Sequence, residues 1–332
     1  MPFNIERREL LTCLSISAAS FFVSPRSLAG EKNFTKKITK KTYTYKTVGK
    51  LDIKLDVHRP DDGVVRPVIV WIHGGALIMG SRSGVYQRVK QDFLDAGSAI
   101  VSIDYRLAPE TKLPAIIEDV EDAYAWVHAN GPTLFHADTR KIAVLGGSAG
   151  GYLTLSCGFR AKPRPAALVA FWGYGDLVGP WYSQPSEFYR RRPLVSESDA
   201  FKGVSGSPVA DGTKDAKLRS AFYLYCRQNG LWPKLVSGLD PYRQAKAYDP
   251  YMPVLNVSDR YPPTMLIHGT ADTDVPYEQS VLMDRLFDHH DVPHKFITVS
   301  GAGHGLSGGD AKLIDEAYAQ VLPFVQQYVN GD

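Results

Sequence analysis

Polar and apolar residues alternate over 42–58, KTYTYKTVGKLDIKLDV, on both sides of Val48-Gly49, which predicts an antiparallel hairpin. Beyond it the period changes. Continuous apolar runs at 68–73 (VIVWIH), 99–105 (AIVSIDY), 141–146 (KIAVLG), 166–172 (AALVAFW), 264–269 (TMLIHG) and 294–299 (HKFITV) read as buried strands. Helical patterns separate several of them. Ile116, Val120, Ala123 and Val127 share one face of a helix over 114–128, a second helix is expected over 277–290, and a third closes the chain. Strands alternating with helices predict an α/β fold: a mostly parallel central sheet with helices on both faces, plus the N-terminal antiparallel hairpin. The alternation stops between Gly173 and about Arg260. A structureless loop of that length does not suit a compact domain, so a partly helical lid over about 174–260 is expected, with 216–228 and 240–247 as candidate helices. Inserted between core strands, it would lie over their C-terminal ends, where ligands bind in open α/β sheets. There it is expected to shape substrate range more than turnover.

Glycines interrupt the third core strand. KIAVLGGSAGGYLTL (141–155) runs from strand to helix through a turn centred on Ser148, and residues without a Cβ relieve crowding in so sharp a turn. Gly146-Gly147-Ser148-Ala149-Gly150 matches G-x-S-x-G, a turn that exposes a nucleophilic serine. A serine hydroxyl needs a base to take its proton. His304, in SGAGHGL directly after the last strand, is the candidate, and the flanking glycines let its loop approach the turn. The imidazole needs an acid to hold its tautomer. HGTADTDVP (268–276) offers Asp272 and Asp274. The first lies nearer the strand end; the second precedes Val275-Pro276, where the chain should turn into a helix. His73-Gly74-Gly75-Ala76 follows the strand VIVWIH, and its backbone N–H groups, with that of Ala149, suit an oxyanion hole. His73 itself reads as a brace for that loop.

These segments resemble the α/β-hydrolase superfamily of esterases and lipases. HGGALIMGS, IDYRLAPE with LPAIIEDVEDAYAWV, and GGSAGG look like the hormone-sensitive lipase-like carboxylesterases. HGTADTDVPYEQS and GAGHG look more like acetyl- and feruloyl-esterase-like or prolyl-oligopeptidase-like hydrolases. The resemblance spans roughly 42–172 and 261–330. It implies an α/β-hydrolase fold with Ser148, Asp272 and His304 as the catalytic triad and Gly75, Ala76 and Ala149 as oxyanion donors. Its H-G-x-x-D spacing selects Asp272 over Asp274. Two positions depart from the pattern: Ala76 replaces the third glycine of H-G-G-G, and Gly147 stands where lipase-like members carry Asp. The YRLAPE segment (105–110) reads as a structural turn beside the rim.

Composition narrows the partners. Lys plus Arg number 38 against 35 Asp plus Glu, a formal charge of +3, too balanced for a nucleic-acid binder. Arg7-Arg8, a weakly apolar stretch to about Val23, and Ser27-Leu28-Ala29 resemble a twin-arginine export signal over 1–29, leaving 30–332 as the catalytic domain. That stretch is too short to span a bilayer, so no stable membrane insertion is expected after its removal, and an exported, periplasmic or extracellular protein is. Cys157 and Cys226 have the option of pairing in such a compartment, although Cys157 suits a buried free thiol. No metal or organic cofactor is expected, since Pro293 breaks any helical face shared by His289, His290 and His294.

The function these features imply is a secreted serine carboxylesterase acting on short-acyl or carbohydrate-linked esters through an acyl-enzyme. Its partner is then a small-molecule or polysaccharide ester. The alternatives are a serine peptidase of prolyl-oligopeptidase type and a non-catalytic hydrolase-fold binding protein. The insertion carries Trp181, Tyr182, Phe188, Tyr189, Phe222, Tyr223, Tyr225 and Trp232. They suit either a small core of its own or a platform for a sugar or phenolic group.

Overall fold

Eight strands form a single sheet in the computed structural model, which describes residues 37–331. The expected export signal at 1–29 lies outside the described residues. The strands are β1 (Ile38–Val48), β2 (Leu51–Pro60), β3 (Arg66–Ile72), β4 (Ala99–Ile103), β5 (Ala137–Gly147), β6 (Ala167–Phe171), β7 (Thr264–Gly269) and β8 (His294–Val299). Their spatial order is β1-β2-β4-β3-β5-β6-β7-β8. β1 pairs antiparallel with β2, and β2 antiparallel with β4; the remaining pairs are parallel. The mixed sheet is therefore the one that alternation at the start and continuous apolar runs afterwards imply.

β3 explains why those runs are continuous. Val68, Val70 and Ile72 face one core, shared with Ile116, Val120 and Val127 of α2 (Leu113–Phe135), Leu153 of α3 (Ala149–Arg160) and Phe287 of Glu278–His289. Ile69 and Trp71 face the other, with Val89 and Phe93 of α1 (Gln87–Asp95) and Val321 and Val325 of Val321–Val329. A strand covered on both sides has no solvent face to mark with polar residues. The helix α1 is not apparent from the runs of residues, because only Val89, Phe93 and Leu94 of its nine positions are buried. The C-terminal helix is two, Ala311–Ala319 and Val321–Val329, meeting at Gln320.

The insertion occupies the chain between β6 and β7. Its main helix, α4 (Ala216–Asn229), coincides with the expected 216–228 and ends on Gly230 in the left-handed region at φ +66°. The helix expected at 240–247 does not form. Asp240 instead accepts from the N–H groups of Tyr242 and Arg243 at 2.9 and 3.0 Å, closing a turn, and 3₁₀ geometry follows over Ala245–Tyr251. A further short helix, α5 (Trp232–Ser237), brings Trp232 into the core.

The insertion is fastened to the loops beneath it. Leu107 N–H donates to Val209 O at 2.8 Å, and Gly212 N–H to Gly80 O at 2.9 Å. Arg219, buried on α4, donates to the carbonyls of Ile78 and Ala108 at 2.9 and 3.2 Å and pairs with Glu110 at 2.6 Å. Cys157 and Cys226 are both buried free thiols on different helices. No helix among the described residues is long and apolar enough to cross a membrane.

Candidate active site

Ser148 is the single residue between β5 and α3, at φ +58° and ψ −123°. A non-glycine residue rarely adopts this conformation; here the flanking strand and helix impose it. Its own N–H donates to Phe171 O at 2.9 Å, and its carbonyl accepts from Tyr152 N–H at 3.0 Å, so both ends of the turn are fixed. The glycines allow close approach. A Cβ on Gly150 would collide with the Ile72 carbonyl of β3. A Cβ on Gly147 would collide with the Tyr86 hydroxyl, which explains why this chain has no Asp at that position.

The structure brings Ser148, His304 and Asp272 into one hydrogen-bonded row. His304 Nε2 lies 3.1 Å from Ser148 Oγ, and His304 Nδ1 lies 2.8 Å from Asp272 Oδ2. Each residue stands just beyond the C-terminal end of its strand: Ser148 after β5, Asp272 after β7, and His304 after β8. The Asp272 side chain is fully buried. It also accepts from the N–H groups of Asp274 and Val275 through Oδ1, at 2.8 and 3.0 Å. His268, buried at the end of β7, is 3.1 Å from Oδ2, and its other nitrogen meets Ser280 Oγ at 2.7 Å. Sequence reasoning missed His268. The signal available was its place four residues before Asp272 at a strand end.

Electrostatics favour the ionised acid. Burial alone would raise the Asp272 pKa, but hydrogen bonds from His268 and His304 outweigh it and hold the carboxyl well below the usual range. For His304, burial works to lower the pKa. The bond to Asp272 and the charges of Asp274 and Asp272 overcome it, so the imidazole is raised above 6.5.

The loop after β3 lies against the nucleophile: a Cβ on Gly74 would sit 3.3 Å from Ser148 Cβ. Gly75 turns at φ +110°, and Ala76 and Leu77 follow at +57° and +62°. Ala76 thus takes the left-handed conformation that a glycine would adopt more easily. Its carbonyl accepts from Trp232 Nε1 at 3.0 Å, and that of Leu77 from Ala108 N–H at 2.8 Å. Among the described residues the N–H groups of Gly75, Ala76 and Ala149 have no hydrogen-bond partner. His73 is not aligned with Ser148 as a base. Its Nδ1 contacts Gly74 O at 2.8 Å, its ring stacks on Tyr105 at 4.2 Å, and burial pushes its pKa down to about 4.

The aromatic residues of the insertion divide. Tyr182, Phe222 and Trp232 are core, with Tyr182 stacked between Trp181 and Trp232 at 3.6 and 4.0 Å. Phe188 is exposed. In the YRLAPE segment Arg106 makes a two-pronged pair with buried Asp119, both bonds 2.7 Å, which fits a structural role. Among the described residues Asp284, Asp288 and His294 bring ligand-type atoms within 4.8 Å of one another. A pair between His294 and Asp284 at 3.2 Å accounts for that grouping.

The sheet order, the serine at its strand-to-helix turn and the loops on one rim define a hydrolase of the α/β type. The BD-FAE family matches residues 55–165, and the prolyl oligopeptidase family (Peptidase_S9) matches 193–332. Together with the fold, these two matches support an α/β-hydrolase of the esterase/lipase-like kind. It is 29% identical to the 5-methylorsellinic acid synthase of Aspergillus terreus over 74% of this chain, and 27% identical to the non-reducing polyketide synthase adrD of Penicillium rubens over 73%. It spans only 12% of the length of each. Among solved structures, an α/β-hydrolase superfamily protein from Enterococcus faecalis aligns with a TM-score of 0.67 at 22% identity, covering 87% of this chain and 99% of that one. Butyrate-bound esterase 2 of Thermogutta terrifontis aligns at 0.60 and 20% identity, covering 86% and 93%. A Staphylococcus aureus protein of unknown function aligns at 0.69 and 22%, covering 87% and 99%.

Proposed function

We propose that this chain is a serine carboxylesterase, exported through the signal at 1–29, that cleaves short-acyl or carbohydrate-linked esters through an acyl-enzyme. The observation that carries the reading is the row Asp272–His304–Ser148, with the serine held in a strained turn beside unpartnered N–H groups. Ser148 Oγ attacks the ester carbonyl carbon while its proton passes to His304 Nε2. The carbonyl oxygen becomes an oxyanion and accepts from the N–H groups of Gly75, Ala76 and Ala149. Collapse expels the alcohol oxygen, which takes the proton from Nε2. Water then attacks the acyl group, gives its proton to Nε2, and Ser148 leaves with that proton restored. The structural neighbours from Thermogutta are esterases, which supports ester over other acyl donors.

The prolyl oligopeptidase match over 193–332 favours one competing reading, peptide hydrolysis by the same three residues. A p-nitrophenyl acetate assay beside a peptide p-nitroanilide assay separates the two. The wild-type protein should turn over the ester and be labelled at Ser148 by a fluorophosphonate. Ser148→Ala should lose both labelling and about 10⁴ or more of kcat. Near-normal ester turnover by a clean Ser148→Ala preparation would refute the assignment.

A further inference from the structure

Asp274 was expected to serve the turn into the following helix, yet it faces the candidate active site. The N–H groups of Asp274 and Val275 both donate to Asp272 Oδ1, and this turn brings the two carboxylates to opposite nitrogens of His304. Asp272 meets Nδ1, while Asp274 Oδ2 lies 3.6 Å from Nε2. The other oxygen of Asp274 is occupied. Oδ1 accepts from the Tyr223 hydroxyl and from Arg227 Nη1, the latter at 2.6 Å, and Arg227 Nη1 also donates to the Asp274 backbone carbonyl at 3.0 Å. Arg227 is itself buried, with its guanidinium over the rings of Tyr182 and Tyr189 at 5.0 and 4.8 Å. Two fixed donors on Oδ1 set the carboxylate plane and hence the direction of Oδ2. The hydrogen bonds from Tyr223 and Arg227 all go to Oδ1, while Oδ2 faces Nε2 of His304, with the Tyr189 hydroxyl also close to this carboxylate. The side chains of Asp274 and His304 remain 19% and 26% exposed, so the space between them is open to a substrate.

Nε2 is the atom that returns a proton to the departing alcohol, so that alcohol's oxygen must come within about 3 Å of it. An acceptor 3.6 Å from the same nitrogen then lies beside the leaving group. Arg227 balances the charge of Asp274, which removes the advantage of a cationic leaving group and leaves a neutral donor as the natural occupant. A hydroxyl on the carbon next to the ester oxygen has the right chemistry and reach. We propose that Asp274 is a specificity-determining residue, whose Oδ2 accepts a hydrogen bond from a second, vicinal hydroxyl of the leaving alcohol and so selects esters of diols and polyols. The inference rests on the ester-hydrolase reading above.

The test compares 2-hydroxycyclohexyl acetate with cyclohexyl acetate, using kcat/KM for the full-length protein, with Ser148 labelling by a fluorophosphonate as a check on the underlying reading. Wild type should prefer the hydroxylated ester by about tenfold or more, as a site built around a substrate hydroxyl does. Asp274→Ala should abolish that ratio. Asp274→Asn keeps an acceptor for Arg227 and so guards against misfolding of the alanine variant; it should reduce the ratio severalfold. Both variants also lose a negative charge beside His304, which lowers the pH of the acid limb for every ester alike, so the ratio is the deciding quantity. Labelled protein with no preference, or variants that slow both esters equally, overturns the role of Asp274 and leaves the esterase reading standing. Failure of Ser148 to label overturns both.

Discussion

Asp272→Asn tests the acid of the row most directly, because the replacement nearly preserves shape and changes hydrogen-bonding capacity. Asp272 accepts four hydrogen bonds in the structure: from His304 Nδ1 and His268 Nε2 through Oδ2, and from Asp274 and Val275 N–H through Oδ1. Asparagine has only one acceptor oxygen. If that oxygen keeps the two backbone donors, its NH₂ faces both imidazoles. His304 must then accept at Nδ1 and carry its proton on Nε2, toward Ser148, where it cannot take the serine's proton. The expected loss in kcat is about 10⁴, the size seen when a triad acid is made neutral. Folding suffers too. Losing bonds to a charged, buried acceptor costs about 1.5–3 kcal/mol each, and retautomerisation recovers part of that, so a total of about 2–4 kcal/mol is expected. The assay is p-nitrophenyl acetate turnover by protein verified as folded by near-ultraviolet circular dichroism, with a urea titration for stability. A folded Asp272→Asn protein with more than about a tenth of wild-type turnover would refute the reasoning. So would a nearly dead Asp274→Asn variant beside an active Asp272→Asn one.

Four further outcomes are expected. Trp232→Phe removes the donor to the Ala76 carbonyl and leaves that buried oxygen unpaired; kcat should fall about tenfold to a hundredfold with KM little changed, short of the full loss of an oxyanion donor, and steady-state kinetics read the split. Because His304 must be neutral to act as base and its pKa is raised, kcat/KM should climb with pH and reach half its plateau above pH 6.5; a half-plateau well below 6.5 contradicts the two-carboxylate environment. The depressed pKa of Asp272 stabilises the fold above the unfolded value of about 3.9, so the urea midpoint should fall as pH drops below about 4, and Asp272→Asn should flatten that fall. Deleting 195–215 removes the Val209 carbonyl and Gly212 N–H that hold the loops after β3 and β4, and it should slow short and long p-nitrophenyl esters alike rather than only shift their ratio.

Where a residue's position follows from its own stretch of chain, it was readable in the sequence. The core strands show as apolar runs, the serine turn as glycines between strand and helix, and Asp272 as the acid nearest the end of β7. The structure places each of these where the pattern implied. What could not be read depends on contacts distant along the chain. Tyr86 fills the space beside Gly147 from 61 positions away, and Trp232 reaches the Ala76 carbonyl across 156. Asp274 illustrates the same limit at short range. Its spacing from Asp272 suggests a common direction in an extended segment, and only the turn closed by the Asp272 carboxylate separates them. The 240–247 segment fails for a related reason, since the Asp240 side chain competes for the N–H groups a helix would need.

The indole of Trp232 and the guanidinium of Arg219 bind the insertion to the backbone carbonyls of Ala76 and Ile78. On the proposed reading, selectivity and chemical power are consequently not separable modules in this chain. An engineer who exchanges residues 174–260 for a homologous segment to gain a new substrate also exchanges the props under the proposed oxyanion donors. A graft that carries the new pocket but lacks an indole and a guanidinium at these two places should inherit its donor's preferences and lose much of the host's speed, and restoring those two side chains should be the first repair.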